Sequence, residues 1–105
     1  MTKLMPIDRI NRCPASARIL LLIYRVGACN FSDFVGAGIG AGVAIRHGLG
    51  LLEAEGAIRL GERDEVAKLV PSRSIPGKPY ILTPKGKLLA GHYAAIEEIL
   101  DSAPR

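Results

Sequence analysis

The sequence predicts an α+β fold: three short helices, a β-hairpin and a longer C-terminal helix. Three observations predict it. Apolar residues recur at helical spacing between residues 15 and 55, and the pattern turns β-prone after Gly56. Thr83-Pro84 then restarts a helix, with Thr as the cap and Pro at the first position. Residues 1–14 read as a basic arm, loosely held, carrying Lys3, Arg9 and Arg12 against Asp8. From Ala15 to Val26 apolar residues fall on almost every side, the signature of a central helix covered by several neighbours, and Gly27 stops it. Arg18, Leu22 and Arg25 share one stripe, so Leu22 needs a cover from a later helix or a second subunit. Asn30 caps a second, short helix, with Asp33 near its positive end and Phe31, Phe34 and Val35 turned inward.

A third helix is predicted from about Ala41 to Glu55, because Ile45, Leu49 and Leu52 recur at four and three and Gly56 follows. Ala57, Ile58 and Leu60 then lead into a charged stretch that returns through Pro76-Gly77-Lys78-Pro79 to Tyr80-Ile81-Leu82, as a hairpin with a long tip would. Val66 to Val70 either extend one strand or add a third. The last helix, to about Leu100, puts Leu89, Tyr93, Ile96 and Leu100 on one stripe, with Leu88, His92 and Ile99 beside it. That stripe is wide for packing on a small domain, so two such helices from paired subunits would bury each other. On this reading Glu97, Glu98 and Asp101 face solvent.

Composition narrows the function classes. A chain of 105 residues, 49% hydrophobic and 23% charged, excludes a multidomain enzyme and disfavours chemistry that needs a large enclosed pocket. Fourteen Lys and Arg against ten Asp and Glu give +4, which favours a polyanionic partner. The longest apolar run, Ile19 to Tyr24, is far short of the ~20 residues of a membrane span. Val26-Gly27-Ala28-Cys29 has the look of a lipoprotein cleavage box, but the apolar segment before it is shorter than the roughly seven to fifteen residues of a signal. Cys13 and Cys29 are too few for a disulfide scaffold, so reduced thiols and a cytoplasmic setting are expected. With His47 and His92 far apart and no CxxC, no metal is expected. The absence of Gln and the presence of only two Asn match a bias of heat-adapted proteins.

Gly36-Ala37-Gly38-Ile39-Gly40-Ala41-Gly42 invites a nucleotide-binding reading, but no strand precedes it and no Walker lysine follows, so a turn between helices is the plainer account and no cofactor is expected. Ser32, His47 and Asp33 can be assembled into a triad on paper, yet nothing in their spacing orders one, and Cys29 lacks a base; no catalytic residue is expected.

Ile45-Arg46-His47-Gly48-Leu49-Gly50-Leu51-Leu52-Glu53-Ala54-Glu55-Gly56-Ala57-Ile58 resembles the recognition helix and first wing strand of winged helix-turn-helix regulators. Pro76-Gly77-Lys78-Pro79-Tyr80-Ile81-Leu82-Thr83-Pro84-Lys85-Gly86 is similar to the return strand of MarR-like and PadR-like regulators, with a shorter spacing before Tyr80. The resemblance spans roughly residues 15–90. It implies a winged helix-turn-helix domain over residues 15–86, a three-helix core with a β-hairpin wing, and a C-terminal helix at 87–105 used for homodimerisation. It also implies a small transcription regulator bound to double-stranded DNA.

Charge placement agrees with that expectation independently. Residues 1–25 carry five basic and one acidic side chain, and residues 57–87 seven and three, whereas 26–56 and 88–105 carry one and three each. The outward stripe of the third helix is Val43, His47, Gly50 and Ala54 with Arg46 beside it, so few donors reach base edges and sequence reading is modest. The DNA-contact candidates are Val43, Arg46 and His47 on that helix, and Arg59, Arg63, Lys68, Arg73 and Lys78 in the wing. The same bare helix face suits an alternative, a protein–protein interaction module within a transcription or replication assembly.

Overall fold

The computed structural model describes residues 5–102. Among them are six helices and one two-stranded antiparallel sheet: α1 (Asp8–Asn11), α2 (Pro14–Val26), α3 (Phe31–Gly36), α4 (Gly42–Ala54), β1 (Ile58–Leu60), α5 (Arg63–Leu69), β2 (Tyr80–Leu82) and α6 (Pro84–Ser102). No helix among these residues is long and apolar enough to cross a membrane.

The helix in the middle is α2, as its all-round apolar pattern requires. Its Ile19, Leu20 and Ile23 are fully buried with Phe34 of α3, Ile45 and Leu52 of α4, Ile58 of β1 and Ala90 of α6. Each large apolar side chain so buried stabilises the fold by roughly 1.5–3 kcal/mol. Leu22 is half-buried against this core. At the crossing of α2 and α4 the contact is backbone-close: a methyl on Gly48 would lie 3.0 Å from Ile19 Cδ1. The buried Ser16 hydroxyl beside it meets no hydrogen-bond partner among the described residues, and nothing in the structure explains this.

β1 and β2 pair with Ile58 opposite Leu82, Arg59 opposite Ile81 and Leu60 opposite Tyr80. Alternation sends Tyr80 and Leu82 to the main core and Ile81 to the other face. Cys29 adds a single bridge on the outer edge of β2, its N–H donating to Tyr80 O at 3.1 Å and its carbonyl accepting from Tyr80 N–H at 2.7 Å.

Five expectations need correction. The segment of Val66 to Val70 is no strand: residues 63–69 form α5, capped where Glu62 and Glu65 each accept the other's backbone N–H. Val66 and Val70, one helical turn apart, pack with Ala28, Ile75 and Ile81 in a second small core, so the tip folds back on the sheet. The loosely held arm contains α1, with Ile10 and Cys13 buried, Arg9 paired to Glu55 at 2.9 Å and Asn11 accepting from the Tyr93 hydroxyl at 3.3 Å. Its Lys3 lies outside the described residues. Val35 is 51% exposed, because the six-residue α3 has room to bury only Phe34 fully. On α6 the small Gly86 and Ala90 make the closest approach, Leu89 and Tyr93 are half-buried, and Leu88, Ile96, Ile99 and Leu100 are exposed. Glu97 is not free in solvent but pairs with Arg25 of α2. Residues 103–105, the end of the expected C-terminal helix segment, lie outside the described residues.

Candidate nucleic-acid interface

The site is built on α4. Ile45, Leu49 and Leu52 anchor its inner face, which leaves Val43, Arg46, His47, Gly50 and Ala54 exposed, Val43 most of all at 80%. Arg46 is not a loose side chain: its guanidinium lies over the Phe31 ring, 4.9 Å from the centroid. Such a contact is worth roughly 0.5–1 kcal/mol at an exposed site and restricts where the charge sits.

Arg46 and the loop that enters β2 line one open groove of about 700 Å³. Asn30, Phe31 and Ser32 at the start of α3, Arg46 and Leu49 of α4, and Pro76, Gly77, Lys78 and Tyr80 of the returning chain line it together. Among the described residues neither Arg46 nor Lys78 has a carboxylate within ion-pair distance. Two uncompensated cations therefore share one groove with aromatic and amide groups, an arrangement suited to an anionic backbone.

The other wing cations divide. Arg73 forms a two-pronged pair with Asp33, at 3.2 and 2.9 Å. Burial pushes the Asp33 carboxyl up, but hydrogen bonds from Arg73 and from the Asn30 N–H outweigh it and hold the group below the ordinary carboxylate range. Arg59 is likewise paired to Glu65, with Nη1 donating to Oε1 at 2.9 Å. The hydrogen bond from Arg59, joined by one from the Glu62 N–H, takes Glu65 down to about 2. Arg63 and Arg73 border a second cleft of about 550 Å³ beneath α5, which meets the first at Pro76 and Gly77. Arg59 and Lys68 border a third, also about 550 Å³, between the end of α2, the sheet and the start of α6, together with Tyr24 and Lys87. This third cleft shares no lining residue with the groove of Arg46 and Lys78.

The eight candidate side chains do not line one groove. Arg46 and Lys78 face one groove, Arg63 and Arg73 adjoin it, and Arg59 and Lys68 line a separate cleft. Val43 and His47 stay on the exposed face of α4 beside Arg46, lining none of these clefts. Sequence reasoning missed Phe31 and Tyr80 as groove walls and Lys87 as a cation of the third cleft. Lys87 was visible in the charge count, but no sequence signal says which way it points.

Both cysteines are free and buried. Cys13 donates to Ala44 O at 3.3 Å, and burial pushes the Cys29 thiol up to about 12. A thiol held protonated in this way is a poor nucleophile. Among the described residues no group of three or more His, Cys, Asp and Glu side chains gathers as a metal site requires.

Comparison with protein-family models, curated proteins and solved structures yields no match.

Proposed function

We propose that the protein binds double-stranded DNA through α4 and the loop entering β2, as a small, non-catalytic transcription regulator of modest sequence preference. The observation that carries this reading is the pair of uncompensated cations, Arg46 of α4 and Lys78 of the loop entering β2, that line one groove. The order of elements supports a winged helix-turn-helix: α2, α3 and α4 form the trio, Cys29, β2 and β1 form the wing sheet, and α5 replaces a free wing tip. A major groove about 12 Å wide admits a helix such as α4. With Val43, Gly50 and Ala54 outward, Arg46 and His47 are its donors for base edges, while Lys78 suits phosphate.

A homodimer is part of the proposal. On α6, Leu88, His92, Ala95 and Ile99 are exposed at spacings of four, three and four, which reads the same in both directions. Lys87 lies toward its start and Glu98 and Asp101 toward its end, so antiparallel pairing of two copies sets opposite charges together. Two recognition helices one duplex turn apart then match a pseudo-palindromic site.

The exposure of Val43, at 80%, with Val35 at 51% nearby in the chain, favours a second reading in which α4 docks on a protein. Duplex binding measured against salt separates the two. A DNA complex weakens steeply as salt rises, with a slope that counts displaced counterions. Absence of binding at low salt favours the protein partner.

A further inference from the structure

We infer that Arg73 is a positioning residue: anchored to Asp33, it holds the 76–79 loop so that Lys78 lines the same groove as Arg46, and it makes no phosphate contact of its own. The inference rests on the DNA-binding reading above and deepens it.

The chain at 29–33 grips the returning chain at 73–80 in three places. Arg73 donates both prongs of its guanidinium to Asp33, at 3.2 and 2.9 Å. Asn30 Nδ2 donates to Pro76 O at 2.9 Å. Cys29 and Tyr80 exchange two backbone hydrogen bonds, at 3.1 and 2.7 Å. Lys78 lies between the second and third of these grips. Its place in the groove it shares with Arg46 is therefore set by a clamp and not by contacts of its own side chain, for which no hydrogen bond or ion pair is found among the described residues.

The clamp is economical because the α3 cap supplies it. Asn30 Oδ1 accepts from the Asp33 N–H while Asp33 Oδ2 accepts from the Asn30 N–H, each at 2.9 Å, and the same two side chains then reach the loop. The Nη1 and Nη2 edge of the guanidinium is committed to both carboxylate oxygens, and turning it to a phosphate would leave Asp33 unpaired beside the α3 cap. Arg73 therefore acts through Lys78.

The test is a double-mutant cycle on duplex affinity, read by fluorescence anisotropy with a short labelled duplex over a range of sodium chloride concentrations. Arg73→Leu and Lys78→Ala each weaken binding about fivefold and lower the salt slope by about one. In the double variant the affinity stays within about twofold of Lys78→Ala alone and the slope falls no further, because the two residues share one contact. Asp33→Asn supplies the readout that a simple loss of charge does not move. It keeps an oxygen for the cap and raises the net charge, yet it weakens binding because Arg73 is unanchored. Arg73→Lys, which retains a hydrogen bond to Asp33, recovers part of the loss. Additive losses in the double variant, or tighter binding by Asp33→Asn, would overturn the positioning role alone. Failure of the wild-type chain to bind duplex at low salt would overturn this inference and the DNA reading together.

Discussion

Gly86 is the position where one added methyl tests the packing most sharply. A Cβ there would lie 1.8 Å from the Ala57 carbonyl oxygen and 2.8 Å from its carbon, against the 3.3 Å or so of a tolerable carbon–oxygen contact. Helix and strand would have to part by about 1.5 Å. Ala57 is poorly placed to yield: it is fully buried, its N–H donates to Leu52 O at 2.9 Å and its carbonyl accepts from the Thr83 N–H at 3.0 Å. Ala gains about 1 kcal/mol over Gly in helix propensity, while overpacking of this severity costs 3 kcal/mol or more. Gly86→Ala is therefore expected to lose about 2–4 kcal/mol, and a domain of this size then melts roughly 10–25 °C lower. Gly50→Ala is the matched control. It lies in the interior of α4 with no neighbouring atom within 4 Å of the added methyl, so it gains up to about 1 kcal/mol. Thermal and urea unfolding followed by circular dichroism reads both. A Gly86→Ala variant as stable as the wild type would refute the close approach of α6 to Ala57.

Other perturbations separate local roles. Asn30→Ala removes the α3 cap and the link to Pro76 O, and is expected to cost about 1–2 kcal/mol in urea unfolding; a cost near zero contradicts the clamp. Because the Glu65 carboxyl is depressed from 4.5 to about 2, its contribution to stability is present above pH 4.5 and is lost as pH falls through about 2. Carbon-detected NMR titration of the carboxyl should show this, and Arg59→Leu should return Glu65 toward its ordinary value. The Cys29 thiol is raised from 9.0 to about 12, so its contribution is complete below pH 9 and disappears as pH climbs through about 12. Tyr80 and Tyr93, also pushed up by burial, add to the same alkaline loss. Cys29→Ala should make that loss shallower, and a thiol reagent at neutral pH should leave the native protein unlabelled at Cys29.

Much of the frame was legible because it is local chemistry. Asn30 as a cap, Thr83 before Pro84, and the Ile45, Leu49, Leu52 spacing need no tertiary information, and the structure has all three. The glycine that closes the return motif, Gly86, has its reason in the approach to Ala57. What was illegible depended on distant partners. Glu62 and Glu65 at the spacing of a capping box, with Val66 and Val70 four apart, are the marks of α5, but a seven-residue helix survives only because Ala28 and Ile81 cover it. On α6 the large residues drew attention to one stripe, whereas small ones, Gly86 and Ala90, define the tightest contact and leave Leu88 and Ile99 outside. For the site, charge counting found the cations but could not see that Arg59 and Arg73 are taken up by Glu65 and Asp33, six residues away in one case and forty in the other.

Whether α4 and the loop entering β2 hold duplex DNA is read from the affinity of the wild-type chain and of Arg46→Glu and Lys78→Glu, measured across salt concentration. Tight binding at low salt, a log–log slope of several units and weakened binding in both variants are expected, with the unfolding temperature unchanged in Lys78→Glu and a few degrees lower in Arg46→Glu, which loses its contact with Phe31. Binding that is absent at low salt, or that is indifferent to both reversals, would contradict the DNA-binding reading.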